Sequence, residues 1–197
     1  MPINPKAIDK AESRLRVMSK ALSELVACES ADVFKDTWYT FLVAAKNVYT
    51  ALEQGSKSDP KDRQWFGGVK SIRRSDPLLQ YLFQARDDDE HGIEAVTEFV
   101  PGSVGIGVAK EGYSNHIHIE SIENGVVKGM RSLDAKPILI EETLPHMKLL
   151  TVTARGNVKY NPPIMHLGKS ITDTSPAGIA QLAFAYLQSV VEVAKSR

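Results

Sequence analysis

The chain has 197 residues, of which 43% are hydrophobic and 24% charged. That is close to ordinary globular usage and excludes a disordered chain, a collagen and a coiled-coil rod. Its 24 basic and 24 acidic side chains cancel, so net charge points to neither nucleic acid nor a membrane surface.

From Pro5 to about Val100 the apolar spacing is helical. A first helix is predicted from about Ala7 to Glu29, on Leu15, Met18, Leu22, Leu25 and Val26. Cys28, the only cysteine, falls near its end, which leaves neither a disulfide nor a cysteine-built zinc site. A second helix, capped by Asp32, carries Trp38, Phe41, Leu42, Ala45, Val48, Tyr49 and Leu52. The run Gln54 to Pro60 ends it. A shorter helix spans about Lys61 to Arg74, interrupted at Gly67-Gly68. Asp76-Pro77 opens a fourth, with an N-cap oxygen followed by proline at the first helical position, running at most to Val96. After Pro101-Gly102 the texture changes to strands: Ser103 to Ala109, Asn115 to Glu123, Val126 to Ser132, Pro137 to Glu141 and Met147 to Ala154. Asn124-Gly125 is a strong hairpin signal. A last helix follows Ser175-Pro176, with Ile179, Leu182, Tyr186, Leu187 and Val190 in its stripe. It either covers a sheet face or returns to the helical half. Helices followed by strands, without alternation, give an α+β class. The expected division is a helical bundle over 1–100 and a mainly antiparallel β domain with a C-terminal helix over 101–197.

The stretch Gln84-Ala85-Arg86-Asp87-Asp88-Asp89-Glu90-His91-Gly92 breaks local rules. With Leu78 at zero and about 100° per residue, Arg86 lands near the middle of the apolar stripe, and His91 about 140° round the helix from it. A guanidinium on a core face needs a partner. Either Asp89 or Glu90, three and four residues on, supplies a structural ion pair, or the arginine serves a site. Four consecutive acids near a helix end also oppose the helix dipole.

Arg86, the polar Asp87 after it, and His91 five residues on, late in a helical unit, resemble the signature of the HEPN superfamily. That resemblance covers about residues 5–100. It implies a metal-independent endoribonuclease, often a toxin or defence effector with an antitoxin partner, working as a homodimer whose two motifs line one cleft. His91 would then act as general acid or base on the RNA 2′-hydroxyl and leaving oxygen. Arg86 would bind the scissile phosphate, and Asp87 would hold Arg86 or His91 in place. Many members bind RNA or assemble without turnover, so a non-enzymatic dimeric module, its β half binding a partner or ligand, is the alternative.

Residues 57–74 add a second candidate. Lys57, Lys61, Arg63, Lys70, Arg73 and Arg74 outnumber Asp59 and Asp62, and Trp65 and Phe66 lie among them. This is an RNA-binding pattern, with stacking beside phosphate contacts, or a solvated connector with two core aromatics. In Asn115-His116-Ile117-His118-Ile119-Glu120 strict alternation puts His116, His118 and Glu120 on one strand face. That is a possible metal triad or the polar face of an edge strand. No Walker motif, nucleophile elbow or zinc-protease helix is present, so no cofactor is expected. With no secretory signal and no apolar run approaching the roughly 20 residues that cross a bilayer, the expectation is a cytoplasmic protein without membrane contact.

Overall fold

A computed structural model describes residues 3–28, 30–91, 95–108, 114, 116–123, 126–154 and 156–197, the side chains of Glu90, His91, Val108 and Val126 excepted. The α+β class holds: helices, then antiparallel strands, then a helix. Helix α1 (Pro5–Ala27) starts where the Asn4 side chain accepts from the Lys6 amide at 3.0 Å. It buries Ala11, Leu15, Met18, Ala21 and Leu25, while Val26 is exposed. Helix α2 (Ala31–Gly55) takes Ser30 as its N-cap, so Asp32 sits inside the first turn rather than capping it. Trp38 stacks between Phe34 and Phe41 in the core.

Helix α3 (Pro60–Ser75) begins at Asp59, whose carboxylate accepts from the Lys61 amide at 2.7 Å. It runs unbroken through Gly67 and Gly68, because the helix cost of each glycine, about 1 kcal/mol, is small beside the burial of Phe66 and Val69. Helix α4 (Pro77–His91) follows Asp76, as the Asp-Pro signal indicates. Its proposed continuation crosses residues 92–94, outside the described residues; Val96 beyond them is not helical. Helix α5 (Pro176–Lys195) is capped by Ser175, whose hydroxyl accepts from the Gly178 amide. Among the described residues α5 alone is long and apolar enough to cross a membrane by length and composition, more than the run lengths suggest. Ten of its residues, among them Ile179, Leu187 and Val191, are buried, as in a core helix.

The chain divides into two units, and not at a single boundary near residue 100. One unit comprises residues 1–98 and 147–197, the other residues 99–146. The reason is the apolar stripe of α5, which packs against α1 and α2 and so returns the C-terminal segment to the helices. Strand β1 (Thr97–Val100) pairs with β6 (His146–Leu149). In the second unit β2 (Ser103–Val108) pairs antiparallel with β5 (Ile138–Thr143), and between them β3 (Ile117–Glu123) pairs antiparallel with β4 (Val126–Ser132). The Asn124-Gly125 turn lies outside the described residues, but the register on either side of it is that of a hairpin.

Back in the first unit, β7 (Val152–Ala154) and β8 (Val158–Tyr160) form a hairpin, with positive φ at Gly156 and Asn157. Strands β9 (Met165–His166) and β10 (Lys169–Ser170) form another, turned at Leu167-Gly168. The Pro162–Gly168 segment packs on helices: Asp76 ahead of α4 accepts from the Leu167 amide at 2.6 Å, and Tyr186 of α5 meets the His166 ring edge-on.

Candidate functional site

Helix α4 carries the site. Leu78, Leu79, Tyr81, Leu82 and Ala85 are buried, which fixes the rotation of the helix and places Arg86 at the border of the core. The Arg86 side chain is 14% exposed. Two tethers hold α4 to the chain beyond β6: the Tyr81 hydroxyl donates to the Leu150 carbonyl at 2.7 Å, and Asp88 Oδ2 accepts from the Thr153 amide at 3.3 Å.

Between α4 and the β7–β8 hairpin lies a cleft of about 880 Å³. Lys46, Gln84, Arg86, Asp87 and Asp88 line one side, and Thr153, Asn157, Val158 and Tyr160 the other. Asp87 Oδ1 is its electrostatic node. It accepts from Arg86 Nη1 at 3.0 Å and from Lys46 Nζ at 3.3 Å. Burial raises the Asp87 pKa, but the hydrogen bonds from Arg86 and Lys46 outweigh it and hold the carboxyl below its ordinary value. The Lys46 ammonium also lies 5.6 Å from the centre of the Phe83 ring, and the Arg73 guanidinium lies 4.2 Å from the same ring. Lys46 and Arg86 thus share the Asp87 carboxylate, and Lys46 and Arg73 share the Phe83 ring.

The two readings of Arg86 meet in this arrangement. Among the described residues Arg86 meets the carboxylate of Asp87, the adjacent residue; the side chain of Glu90, four residues on, lies outside the described residues. His91 ends α4, and its side chain also lies outside them. Lys46, Asn157 and Tyr160 were not legible as site residues. The one signal for Lys46 is its place in α2, bordering the apolar stripe between Ala45 and Tyr49.

The basic stretch is largely consumed by internal contacts. Lys70 pairs with Glu53 at 2.8 Å, Arg73 stacks on Phe83, and Trp65 lies under the guanidinium of Arg197 at 5.2 Å. Phe66 is buried. Lys61, Arg63 and Arg74 are exposed on α3. Of the six predicted RNA-binding residues, Arg73 is the one brought beside the Arg86 cluster.

The strand histidines do not form a metal triad. His116 precedes β3, with Nδ1 3.6 Å from Asp134 Oδ2. His118 pairs in register with Arg131, and the Glu120 side chain lies across Gly129 of β4. Among the described residues no group of three or more His, Cys, Asp or Glu is placed to hold a metal ion.

Comparisons with protein-family models, with curated proteins and with solved structures return no match.

Proposed function

We propose that this is a cytoplasmic RNA-directed protein, with the cleft between α4 and the β7–β8 hairpin as its phosphate-binding site. The observation that carries the reading is the convergence of Lys46 and Arg86 on the Asp87 carboxylate at the cleft, with Arg73 stacked on the Phe83 ring that Lys46 also approaches. Lys46 and Arg86 line a cleft of about 880 Å³ together with the carboxylates of Asp87 and Asp88. A fixed guanidinium recognises phosphate through charge-assisted hydrogen bonds. Asp87 sets the orientation of Arg86, the part that the Arg-x4-His resemblance gives it. Asn157 and Tyr160 supply polar and aromatic surface on the opposite wall.

In the catalytic form of this reading His91 moves the proton between the 2′-hydroxyl and the leaving oxygen, and Arg86 stabilises the charge that develops on the phosphate. Arg86 and His91 stand about 140° apart on one helix, so each active centre takes its two members from two copies of the chain. An antitoxin-like protein partner fits such an effector. A second reading, a dimeric module without turnover, is favoured by the pairing of Arg86 with Asp87, which Lys46 also joins, since an ion pair is what a structural arginine needs.

Cleavage of total RNA in EDTA separates the two. The nuclease reading expects cleavage by the wild type that Arg86→Ala and His91→Ala each abolish. Binding without cleavage assigns the module reading, and neither binding nor cleavage overturns the RNA assignment.

A further inference from the structure

His166 stands outside the RNA reading and is held by a buried carboxylate. Its side chain is 11% exposed and that of Asp76 3%, with Nδ1 3.0 Å from Asp76 Oδ1. Each Asp76 oxygen also accepts a backbone N–H, Oδ1 from Leu79 and Oδ2 from Leu167. A carboxyl satisfied in that way is ionised and can only accept, so the ring nitrogen facing it carries the proton. Neutral His166 then has its lone pair on Nε2. Among the described residues Nε2 has no hydrogen-bond partner, and it is not sealed from solvent.

The space it meets is a cleft of about 540 Å³ between the β9–β10 hairpin and α5. Leu167, Ile171, Leu182 and Ala185 give it apolar walls, and Lys169 lies on it as well. Lys169 pairs with His166 across the turn, so the two side chains leave the same face of the hairpin. Leu167 and Gly168 make that turn with positive φ, 48° and 76°, a conformation leucine seldom adopts. The 2.6 Å bond from the Leu167 amide to Asp76 holds it there. One carboxylate therefore fixes both the imidazole and the turn beside it. Strained backbone of this kind clusters at ligand clamps and active sites.

We propose that this cleft binds a small apolar molecule through a hydroxyl group, an alcohol or a phenol. Small-molecule pockets run to about 300–1,000 Å³, mostly apolar with a few convergent polar groups, and the cleft has that size and those walls. Nε2 accepts, so its partner must donate. Lys169 only donates, and its charge repels an ammonium. A hydroxyl satisfies both with one atom, donating to Nε2 and accepting from Nζ, whereas a carboxylate has nothing to donate. Asp173, also on the cleft, is taken up by the Ser175 amide at 2.9 Å, and the Ser170 hydroxyl by Met165 Sδ at 3.6 Å. The cleft shares no lining residue with that of Arg86, and the inference does not rest on the RNA reading.

The test is a titration of the full chain with phenol and with anisole, its methyl ether, followed by long-range proton–nitrogen correlation of the histidine rings. In the free protein His166 is expected to carry its proton on Nδ1. Phenol then shifts the Nε2 resonance saturably. Anisole, which cannot donate, binds about three- to tenfold more weakly. Ala185 is exposed on α5, and Ala185→Trp fills the cleft and abolishes the phenol shift, while far-UV circular dichroism and the His166 tautomer stay as in wild type. The comparison of phenol with anisole on wild type needs no variant to fold. A proton on Nε2 in the free protein, no Nε2 shift at millimolar phenol, equal affinity for phenol and anisole, or a shift that persists in folded Ala185→Trp overturns the proposal.

Discussion

Replacing Asp76 tests how the first turn of α4, and with it the position of Arg86, is held. The Asp76 side chain is 3% exposed. Its Oδ1 accepts from the Leu79 amide at 3.0 Å, as an N-cap should, and lies 3.0 Å from His166 Nδ1. Its Oδ2 accepts from the Leu167 amide at 2.6 Å.

Alanine removes all three. Loss of the cap costs about 1 kcal/mol, and the Leu167 amide and His166 left without the carboxylate cost about 1–2 kcal/mol each. The sum is about 3–5 kcal/mol. Asparagine keeps Oδ1 for Leu79 and His166 but turns an NH2 toward the Leu167 amide, donor against donor, for about 2 kcal/mol.

The pH dependence carries a sign as well. Burial raises the Asp76 pKa, but hydrogen bonds from Leu167, Leu79 and His166 outweigh it and leave the carboxyl below its ordinary value. A depressed folded pKa stabilises above the unfolded value, about 3.9, and that stability is lost as pH falls through the folded pKa. The gap between wild type and Asp76→Ala therefore narrows below about pH 4. Urea unfolding followed by far-UV circular dichroism measures both. A cost under about 1 kcal/mol for alanine, asparagine worse than alanine, or a gap that widens in acid would refute this account of α4.

Other expectations are smaller in scale. A Cβ built at Gly67 or Gly68 meets nothing within 4 Å, so Gly67→Ala and Gly68→Ala each stabilise the protein by about 0.5–1 kcal/mol; a lowered melting temperature would place a neighbour on that face. Arg197 Nε lies 3.2 Å from Asp62 Oδ1, and Asp62 is buried. Arg197→Ala therefore costs about 1–3 kcal/mol and alters Trp65 emission, and an unchanged emission spectrum would remove the stacking argument. Asp87→Asn leaves Lys46 and Arg86 without their shared anion. It is expected to cost about 1 kcal/mol and to steepen the salt dependence of RNA binding, and an equal slope in the two proteins would contradict that.

What the sequence showed and what it hid divide along local and long-range physics. The caps at Asp76 and Ser175 are decided by neighbouring residues, and both stand where those residues put them. The Arg86 motif lies on a helix, as its spacing required. The contact of Arg86 with Asp87 was not marked by helix spacing, and Asp87 also accepts from Lys46, forty-one residues away on α2. The second wall of the cleft comes from Thr153 to Tyr160, and no local pattern connects that hairpin to α4. The basic stretch reads as a solvated patch until Glu53, Phe83 and Arg197 are seen to take up Lys70, Arg73 and Trp65. The alternation holds for His118 and Glu120 on β3, while His116 precedes the strand. It does not decide where each side chain goes once Asp134 and Gly129 lie beside them.

The most direct test of the phosphate site is the affinity of a single-stranded RNA for wild type and for a Lys46→Ala, Arg86→Ala double variant, measured by fluorescence anisotropy across a salt series. For single strands the slope of log affinity against log salt is about −0.7 per phosphate contact. Removing two contacts should make the slope shallower by about 1.4 and weaken binding at low salt. Binding with the same slope and affinity in both proteins, or no binding by the wild type, would contradict the assignment of the cleft to RNA.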